Sequence, residues 1–246
     1  MAFKDDVQER VETILNEEWK ITTSKDVPST NDVAHKNGAV RIEAAFLYAD
    51  LAASTDLQKR YVDTFAAKAI RMYLGGASSI IRHFEGTIKS FDGDRVMGVF
   101  TGGSRRNNAV KAGFMINWLV LEVIAPLVKE RQEAMENTAV WIPSHGVGID
   151  EGEAFVTRAG VRNKSGEHNH NDLIFVGRAP NVAAKLSALR GDGARPLIIT
   201  RDVYRFLNDG QKKYLQSEEA VWSDPTETQI GPYNLALYRT GYWRSR

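Results

Sequence analysis

The chain has 246 residues, of which 43% are hydrophobic and 26% are charged, and these proportions are ordinary for a globular protein with one large domain. A net charge of +1 and the absence of cysteine give no electrostatic reason to expect nucleic acid or a membrane surface as a partner, and they exclude disulfides and thiolate metal sites. We expect a cytoplasmic protein with no membrane span, because the N-terminus has no signal region and no run approaches the roughly 18 apolar residues that a membrane helix needs.

The first 38 residues are predicted to precede the main domain, which we expect to occupy residues 39–246. Apolar residues recur at near-helical spacing between positions 2 and 20. This spacing predicts an amphipathic helix that packs on the domain or on a partner subunit. Residues 21–38 are polar and contain Pro28, so a connecting loop is expected there.

Two short apolar segments follow, and each presents an aspartate at its end. Residues 42–50 predict a strand that ends at Asp50, and residues 86–100 predict a hairpin that turns at an Asp-Gly pair just before Asp94. Carboxylates at neighbouring strand ends repel each other unless a cation lies between them, and Mg²⁺ commonly takes one or two carboxylates together with substrate phosphates. The same residues are also typical of a helix N-cap and a turn former, so the pattern alone leaves both interpretations open.

The small residues after Asp50 predict a second feature of such a site. Ala53, Ser54 and Thr55 form a loop without bulky side chains. Backbone amides in a loop of this kind can approach a phosphate chain closely.

The rest of the chain alternates helical and extended patterns. The predicted helices cover residues 57–83, 107–129, 179–189 and 202–207, and the predicted strands cover residues 140–149, 153–161, 173–176 and 196–200, with further strands within 220–242. Residues 150–152 are expected to form a turn, residues 162–171 are expected to form a loop, and Pro126 is expected to kink or end its helix. The β-α-β-β-α-β order across residues 41–161 predicts an α+β, ferredoxin-like core with an N-terminal helix and a C-terminal β extension.

Several motifs in this order resemble those of the class III nucleotidyl cyclases. They are FLYADLAAST and GTIKSFDGDRVMGVF, followed by GVGIDEGEAFV and FVGRAPNVAAKLSAL, and together they span residues 41–207. The resemblance implies conversion of a nucleoside triphosphate into a 3′,5′-cyclic monophosphate with release of pyrophosphate. It implies two Mn²⁺ or Mg²⁺ ions per site, held by Asp50, Asp94 and the carbonyl of Leu51, with the 53–55 loop on the phosphates.

The resemblance also assigns a second group of residues near position 180. Asn181 takes the place of the family's ribose-positioning asparagine, and Lys185 stands where the family has an arginine that stabilises charge on the transferring phosphate. The spacing of four residues puts both on one helix face. Lysine keeps the charge but loses the planar fork of arginine, and Arg178 is a reserve cation just upstream. Without the motif, Lys185 would be interpreted as a solvated helix lysine.

Base recognition is where the chain departs from the purine cyclases. Ser90 replaces the usual lysine of adenylate cyclases or glutamate of guanylate cyclases, Ile174 replaces a polar partner, and Tyr48 replaces a phenylalanine. Because a site reads its substrate through polar groups that would otherwise stay unpaired, this set indicates a different base. It resembles the pyrimidine cyclases of the bacterial Pycsar anti-phage systems, whose cyclic nucleotide is read by a separate effector. UTP is favoured because the uridylate form is the commoner one in that family.

Other interpretations remain open at this point. They are a CTP cyclase, a purine cyclase with atypical base-reading residues, an inactive nucleotide-binding scaffold, and, more remotely, a polymerase-like palm. His168 and His170 are weak evidence for zinc, and His83 and His145 are expected to be structural or surface residues. Since the chain offers one copy of each half-site, the resemblance implies a homodimer with active sites shared between chains.

Overall fold

The computed structural model describes residues 3–34, 36–134, 141–161, 170–189 and 194–245. The strands within these residues are β1 (Lys20–Thr23), β2 (Gly38–Leu51), β3 (Thr87–Asp92), β4 (Arg95–Phe100), β5 (His145–Val161), β6 (His170–Val176), β7 (Leu197–Thr200), β8 (Thr226–Ile230) and β9 (Tyr233–Thr240). The helices are α1 (Phe3–Asn16), α2 (Ser54–Arg60), α3 (Asp63–His83), α4 (Arg105–Trp118), α5 (Ala125–Glu133), α6 (Arg178–Ala188), α7 (Arg201–Arg205) and α8 (Asp209–Lys212).

One mixed sheet contains all of these strands. Its main path runs β3-β4-β2-β5-β7-β9-β8, while β1 pairs with β2 and β6 pairs with β5. The order β3-β4-β2-β5, with α3 and α4 as crossovers, is the ferredoxin-like arrangement, so the predicted fold class is confirmed. The sheet continues beyond this core through β7 and the β8–β9 hairpin, which is the predicted C-terminal β extension.

Strand β2 is central because both of its edges and both of its faces are covered. It pairs antiparallel with β4 and with β5. Ala45, Leu47 and Ala49 belong to the large core cluster, which also holds buried residues of α3 and α4, whereas Ala44 and Phe46 belong to the cluster that includes residues of α6. The alternation expected of a strand thus divides the core into two layers.

Residues 105–133 form one continuous helical stretch in which a π-helical turn, Leu119–Ile124, joins α4 to α5. Pro126 lies in the first turn of α5, and the helix continues to Glu133, so of the two expected effects of Pro126, a helix end is wrong and a kink stays a prediction. The first turn of a helix and a π segment both tolerate a missing backbone N–H. This stretch is long and apolar enough to cross a bilayer, because one 18-residue window within it has a mean hydropathy of 1.5. Half of that window, however, is buried inside the protein. Lys111, Asn117 and Glu122 interrupt its apolar residues, so the expectation that no uninterrupted apolar run reaches that length is not contradicted, and the buried half is typical of a core helix.

The turn expected at residues 150–152 is absent, because β5 is a single 17-residue strand. Its pairing with β2 runs without interruption from Ala39↔Thr157 to Leu51↔His145. Continuous pairing with a 14-residue partner strand outweighs the local preference of an Asp-Glu-Gly sequence for a turn. Position 140 and the segment 162–169 lie outside the described residues.

Smaller differences concern the N-terminal half. The helix predicted at 57–83 is two helices, α2 and α3, and the loop predicted at 21–38 contains β1, which pairs parallel with β2. Helix α1 has no buried residue. The expectation that it packs on its own domain is therefore wrong. Asn37 instead anchors its C-terminal end, donating from Nδ2 to the carbonyls of Ile14 at 2.9 Å and Glu17 at 2.5 Å. Packing on a partner subunit stays a prediction.

Candidate active site

The two predicted metal-binding aspartates lie at the same end of the sheet. Asp50 lies near the end of β2, directly opposite Arg95 of β4, and Asp50 is only 9% exposed to solvent. Asp94 lies in the β3–β4 turn after Gly93, whose φ of +62° is the left-handed conformation that this tight turn requires. The backbone N–H of Leu51 donates to the carbonyl of Asp94 at 3.3 Å. Turn chemistry and strand pairing therefore bring these acids together.

The donors at this end of the sheet are oxygen atoms, which suit Mg²⁺ or Mn²⁺. Among the described residues, no group of three or more histidine or acidic side chains is placed to hold a metal ion. If only two carboxylates bind an octahedral ion, most of its coordination positions are left for phosphate oxygens and water. The arrangement thus fits an ion that arrives with a triphosphate.

The loop after Asp50 turns sharply into α2. Ala52 donates its backbone N–H to the carbonyl of Ser144 at 2.8 Å, and Ala53 has φ +56° and ψ +31°. This left-handed residue precedes Ser54 and Thr55, the first residues of α2. Amides in the first turn of a helix have no intrahelical partner, so the predicted phosphate loop leads into amides of this kind at Ser54 and Thr55.

Two of the predicted base-reading residues meet in one row across the sheet. The pairing Ser90↔Met97↔Tyr48↔Gly148 connects β3, β4, β2 and β5. The Tyr48 hydroxyl donates to Met97 Sδ at 3.1 Å, and the Ser90 hydroxyl lies 3.8 Å from the same sulfur. Burial raises the pKa of the Tyr48 phenol, so it stays a neutral hydrogen-bonding group. The Arg95 guanidinium carbon is 5.5 Å from the centre of its ring.

Ile174 does not join this row within one chain. It lies on β6 opposite Thr157 and is 44% exposed. Its neighbours Leu173 and Phe175 pack on the α6-side cluster that includes Tyr48. Because side chains alternate along a strand, Ile174 points to the opposite face.

The sequence reasoning missed Lys89, which stands next to Ser90. The β3–β4 register shifts between Ile88 and Ser90, so Lys89 is an extra residue in a β-bulge. Its Nζ donates to the carbonyl of Pro28 at 2.5 Å, and burial lowers the pKa of its ammonium group. The sequence does show a lysine one position before the family's base-reading position, and this could have drawn attention to Lys89. The bulge itself is visible only in the pairing of β3 with β4.

Helix α6 carries the other half-site and rests closely on β5. A side chain at Gly148 would collide with the backbone of Ala183 and Ser187, so glycine is required at this crossing. Asn181 and Lys185 are exposed on the outer face of α6. Asn181 Nδ2 donates to the carbonyl of its own helix cap, Gly177, at 2.9 Å.

Lys185 reaches the turn between β8 and β9. Its Nζ lies 2.5 Å from the point that a Cβ of Gly231 would occupy, and Gly231 has φ +58°. Glycine at this turn therefore satisfies the backbone and leaves room for the ammonium group. The C-terminal extension thus borders the second half-site.

Arg178 is committed to ion pairs within the chain. Its Nη2 donates to Asp202 Oδ2 at 2.8 Å and to Asp150 Oδ1 at 3.3 Å. Asp150 is fully buried, and its Oδ1 also accepts from Thr200 Oγ1 at 2.6 Å. This network ties the start of α6 to β5 and to α7, so the geometry favours a structural role for Arg178 over that of a reserve cation for substrate. These residues are far apart along the chain, so the sequence alone could not have shown that they form ion pairs.

The buried carboxylate predicts a pH dependence of stability. Burial raises the pKa of Asp150 from 3.8 to about 6, against the opposing effects of Thr200 and Arg178. The folded state therefore holds a proton that the unfolded state has lost between about pH 4 and pH 6, and the free energy of unfolding should fall as pH rises through that window, by up to roughly 3 kcal/mol. Urea unfolding of wild type and Asp150→Asn across pH 4–7 measures the difference, and Asp202→Asn is the control on the exposed side of the network. Identical slopes for wild type and Asp150→Asn would contradict the assignment.

The other predicted site residues are placed as follows. His145 is buried, and its Nε2 is 2.8 Å from Asn117 Oδ1, which agrees with a structural role. Position 168 lies outside the described residues, and the side chain of His170 is not described.

Known proteins are similar to this chain along its whole length, although no family model matches it. A uridylate cyclase from Rhodovulum sp. (strain MB263) is 38% identical over 244 residues, which cover 99% of this chain and 98% of that protein. A uridylate cyclase from Xanthomonas perforans is 33% identical over 100% of this chain and 99% of that protein.

Solved structures share the fold at lower identity. The guanylyl cyclase Cya2 aligns with a TM-score of 0.64 and 17% identity, covering 83% of this chain and 94% of that one. The adenylyl cyclase CyaB from P. aeruginosa aligns with a TM-score of 0.62 and 20% identity, covering 82% and 94%. The chain therefore belongs to the uridylate cyclase family and has the class III nucleotidyl cyclase fold.

Proposed function

We propose that this protein is a pyrimidine nucleotide cyclase that converts UTP into 3′,5′-cyclic UMP and pyrophosphate. The observation that carries the proposal is the Ser90–Met97–Tyr48 row. It puts a short hydroxyl where purine cyclases have a long charged side chain, and a neutral phenol where they have a phenylalanine. Full-length relatives named uridylate cyclase support the same substrate.

The reaction forms a bond between the ribose 3′ oxygen and the α-phosphorus and breaks the bond from that phosphorus to the oxygen that bridges it to the β-phosphate. The 3′ hydroxyl proton passes to solvent water, and pyrophosphate leaves. Asp50 and Asp94, with the carbonyl of Leu51, would hold two Mn²⁺ or Mg²⁺ ions. When bound, these ions neutralise phosphate charge and make the 3′ oxygen more acidic.

The remaining steps fall to this chain's own groups. The amides that open α2 at Ser54 and Thr55 would bind the outer phosphates. Asn181 would orient the ribose, and Lys185 would stabilise the charge that develops on the transferring phosphate. The ammonium of Lys185 already lies over the Gly231 turn, and this contact would limit its freedom before substrate arrives.

We also propose a homodimer in which each active site takes one half from each chain. Asn181 and Lys185 lie on the outer face of α6, whereas the aspartates lie at the end of β2 and in the β3–β4 turn. A two-fold dimer with this pair of surfaces in contact builds two equivalent sites. In this proposal the protein acts in the cytoplasm, and its cyclic nucleotide is read by a separate effector in anti-phage defence.

Base choice should depend on Ser90. Ser90→Lys would place a long side chain with an unpaired ammonium group beside Met97 and Tyr48, and because it would fill the space that the short serine leaves open, we expect it to lower UTP turnover by at least about tenfold. Ser90→Ala is the matched control, because it keeps the row open, and it should stay within about threefold of wild type. Rates with each of the four nucleoside triphosphates and Mn²⁺ measure both variants. Undiminished UTP turnover in Ser90→Lys would remove Ser90 from base recognition.

A further inference from the structure

The connection between β1 and β2 crosses the face of the sheet that carries the base-reading row. We call residues 27–33 of this connection the strap. Val33 is 1% exposed and belongs to the same buried cluster as Met97. Val27 of the strap packs against that cluster, as Tyr48 does. The strap therefore shares the α6 side of the sheet with the residues proposed to read the base.

Two cationic side chains from different strands hold the strap. Lys89 of β3 donates from Nζ to the carbonyl of Pro28 at 2.5 Å, and Pro28 is buried. Arg158 of β5 donates from Nη2 to the carbonyl of Thr30. Because β3 and β5 lie on opposite sides of β2 in the sheet, these two contacts fix the strap across the strand that carries Tyr48.

The β-bulge in β3 is what allows Lys89 to reach the strap. Adjacent residues of a regular strand point to opposite faces, so Lys89 would otherwise point away from the face that Ser90 joins. The register shift between Ile88 and Ser90 re-aims the side chain, as bulges commonly do. Lys89 Nζ then meets the strap on the face where Ser90 Oγ approaches Met97. Consecutive residues of β3 thus serve the strap and the base row.

The strap lies toward the end of β2 that is opposite to the metal-binding end. β1, which leads into the strap, pairs with β2 at residues 38–41, whereas Asp50 is near the other end of β2. A nucleotide with its phosphates at Asp50 and its base beside Ser90 therefore points its base toward the strap. Pro28 is separated from the backbone beside Ser90 by the length of one lysine side chain.

Two carboxylates support the ammonium group of Lys89. Burial lowers the pKa of Lys89, and Asp172 of β6 and Asp32 of the strap act in the opposite direction. Hydrogen bonds from a charged donor are stronger than those between neutral groups. The bond from Lys89 to Pro28 is therefore a firm attachment of the strap to β3.

We infer that the strap, held by Lys89, closes the base end of the pocket, so that the pocket accepts a pyrimidine and excludes a purine. This inference rests on the proposed function, and it adds a steric cause of selectivity to the polar one at Ser90 and Tyr48. A purine has a second fused ring and needs room that a fixed backbone segment denies, and a clash of this kind discriminates against the larger base. Lys89 acts through the strap and not on the base, so it is a positioning residue.

The test compares the binding of a pyrimidine and a purine analogue that cannot react. The probes are 3′-deoxy-UTP and 3′-deoxy-ATP, titrated with Mn²⁺ into the full chain by calorimetry, because loss of the 3′ hydroxyl prevents cyclisation. Lys89→Met keeps the length of the side chain but cannot donate to Pro28, so we expect the preference for the uridine analogue to fall by at least about tenfold. Lys89→Arg can still donate and should keep the preference within about threefold of wild type.

A matched control removes another lysine from the N-terminal region. Lys36 lies outside the strap and pairs with Glu17 at 2.8 Å. Because an exposed ion pair contributes little, Lys36→Met should leave the preference within about twofold of wild type.

Turnover of UTP separates positioning from a general structural role. A wall of the pocket contacts the base equally in the ground state and in the transition state, so Lys89→Met should raise KM by about fivefold and leave kcat within about twofold. A fall in kcat with an unchanged KM would contradict the positioning role.

A second variant loosens the strap from within. Asp32 Oδ2 accepts from the N–H and from the hydroxyl of Ser29, both at 2.7 Å. Asp32→Ala should therefore narrow the same preference by about threefold, and it decides the question if Lys89→Met does not fold.

The outcomes distinguish this inference from the proposed function. The inference alone is overturned if wild type prefers the uridine analogue and both strap variants keep that preference, or if Lys36→Met shifts it as far as Lys89→Met does. Equal affinity of wild type for the two analogues would instead overturn the proposed substrate, and the inference with it.

Discussion

Asp94→Ala is expected to reduce cyclisation by at least about 10³-fold while leaving the fold intact, because loss of a metal ligand removes several kcal/mol of transition-state stabilisation. Asp94 contributes its backbone carbonyl, which accepts from Leu51 N–H, and alanine preserves that contact. Asp50→Ala should have the same effect on rate. Initial rates with UTP and Mn²⁺, together with thermal melting by circular dichroism, measure activity and folding separately.

The same turn supplies a matched control. Asp92 is an exposed acid two residues away, and its carboxylate is bound to Arg95 at 2.5 Å. Asp92→Ala removes an equal charge from the same hairpin and should stay within about fivefold of wild type, because an exposed ion pair contributes little. If Asp92→Ala and Asp94→Ala lose activity equally, or if Asp94→Ala keeps near wild-type turnover, the metal-centre assignment fails.

Mixing two inactive variants is expected to restore activity. Asp50→Ala removes one half-site and Lys185→Ala removes the other, so a mixed dimer has one site with both mutations and one site with neither. After complete exchange of equal amounts, half of the dimers are mixed, and about one quarter of all sites are intact. The recovered rate should therefore approach about one quarter of wild type, measured after co-incubation and after co-purification of differently tagged chains.

The control mixture combines Asp50→Ala with Asp94→Ala. Both substitutions lie in the same half-site, so no dimer of these chains contains an intact site, and activity should stay absent. The shared-site account fails if tagged chains are shown to exchange and the Asp50→Ala and Lys185→Ala mixture stays inactive. It also fails if the active species sediments as a monomer.

The sequence predicted the features that local chemistry determines. An apolar run ending at Asp50 and an Asp-Gly turn before Asp94 produced the strand and hairpin as expected, because turn geometry and side-chain alternation are short-range effects. The same reasoning placed a turn at residues 150–152, where pairing along the whole of β2 keeps β5 extended. That pairing joins residues about a hundred positions apart, and no local pattern reports it.

The candidate site likewise contains residues that the sequence identifies and contacts that only the structure shows. Ser90 and Tyr48 were identified from motif positions, and the structure places both on one row with Met97. The bulge at Lys89 and the commitment of Arg178 to Asp150 and Asp202 depend on register and on distant partners. Such contacts follow from the tertiary fold, so they become visible only with the structure.

The central claim is that the protein cyclises a pyrimidine triphosphate, and product analysis tests it most directly. The purified chain is incubated with equal amounts of ATP, GTP, CTP and UTP plus Mn²⁺, and the cyclic products are separated and identified by mass spectrometry, with Asp94→Ala as the blank. The account predicts that 3′,5′-cyclic UMP is the main product and that it is absent from the blank. A mixture dominated by cyclic AMP or cyclic GMP would contradict the pyrimidine assignment, and one dominated by cyclic CMP would contradict the choice of UTP.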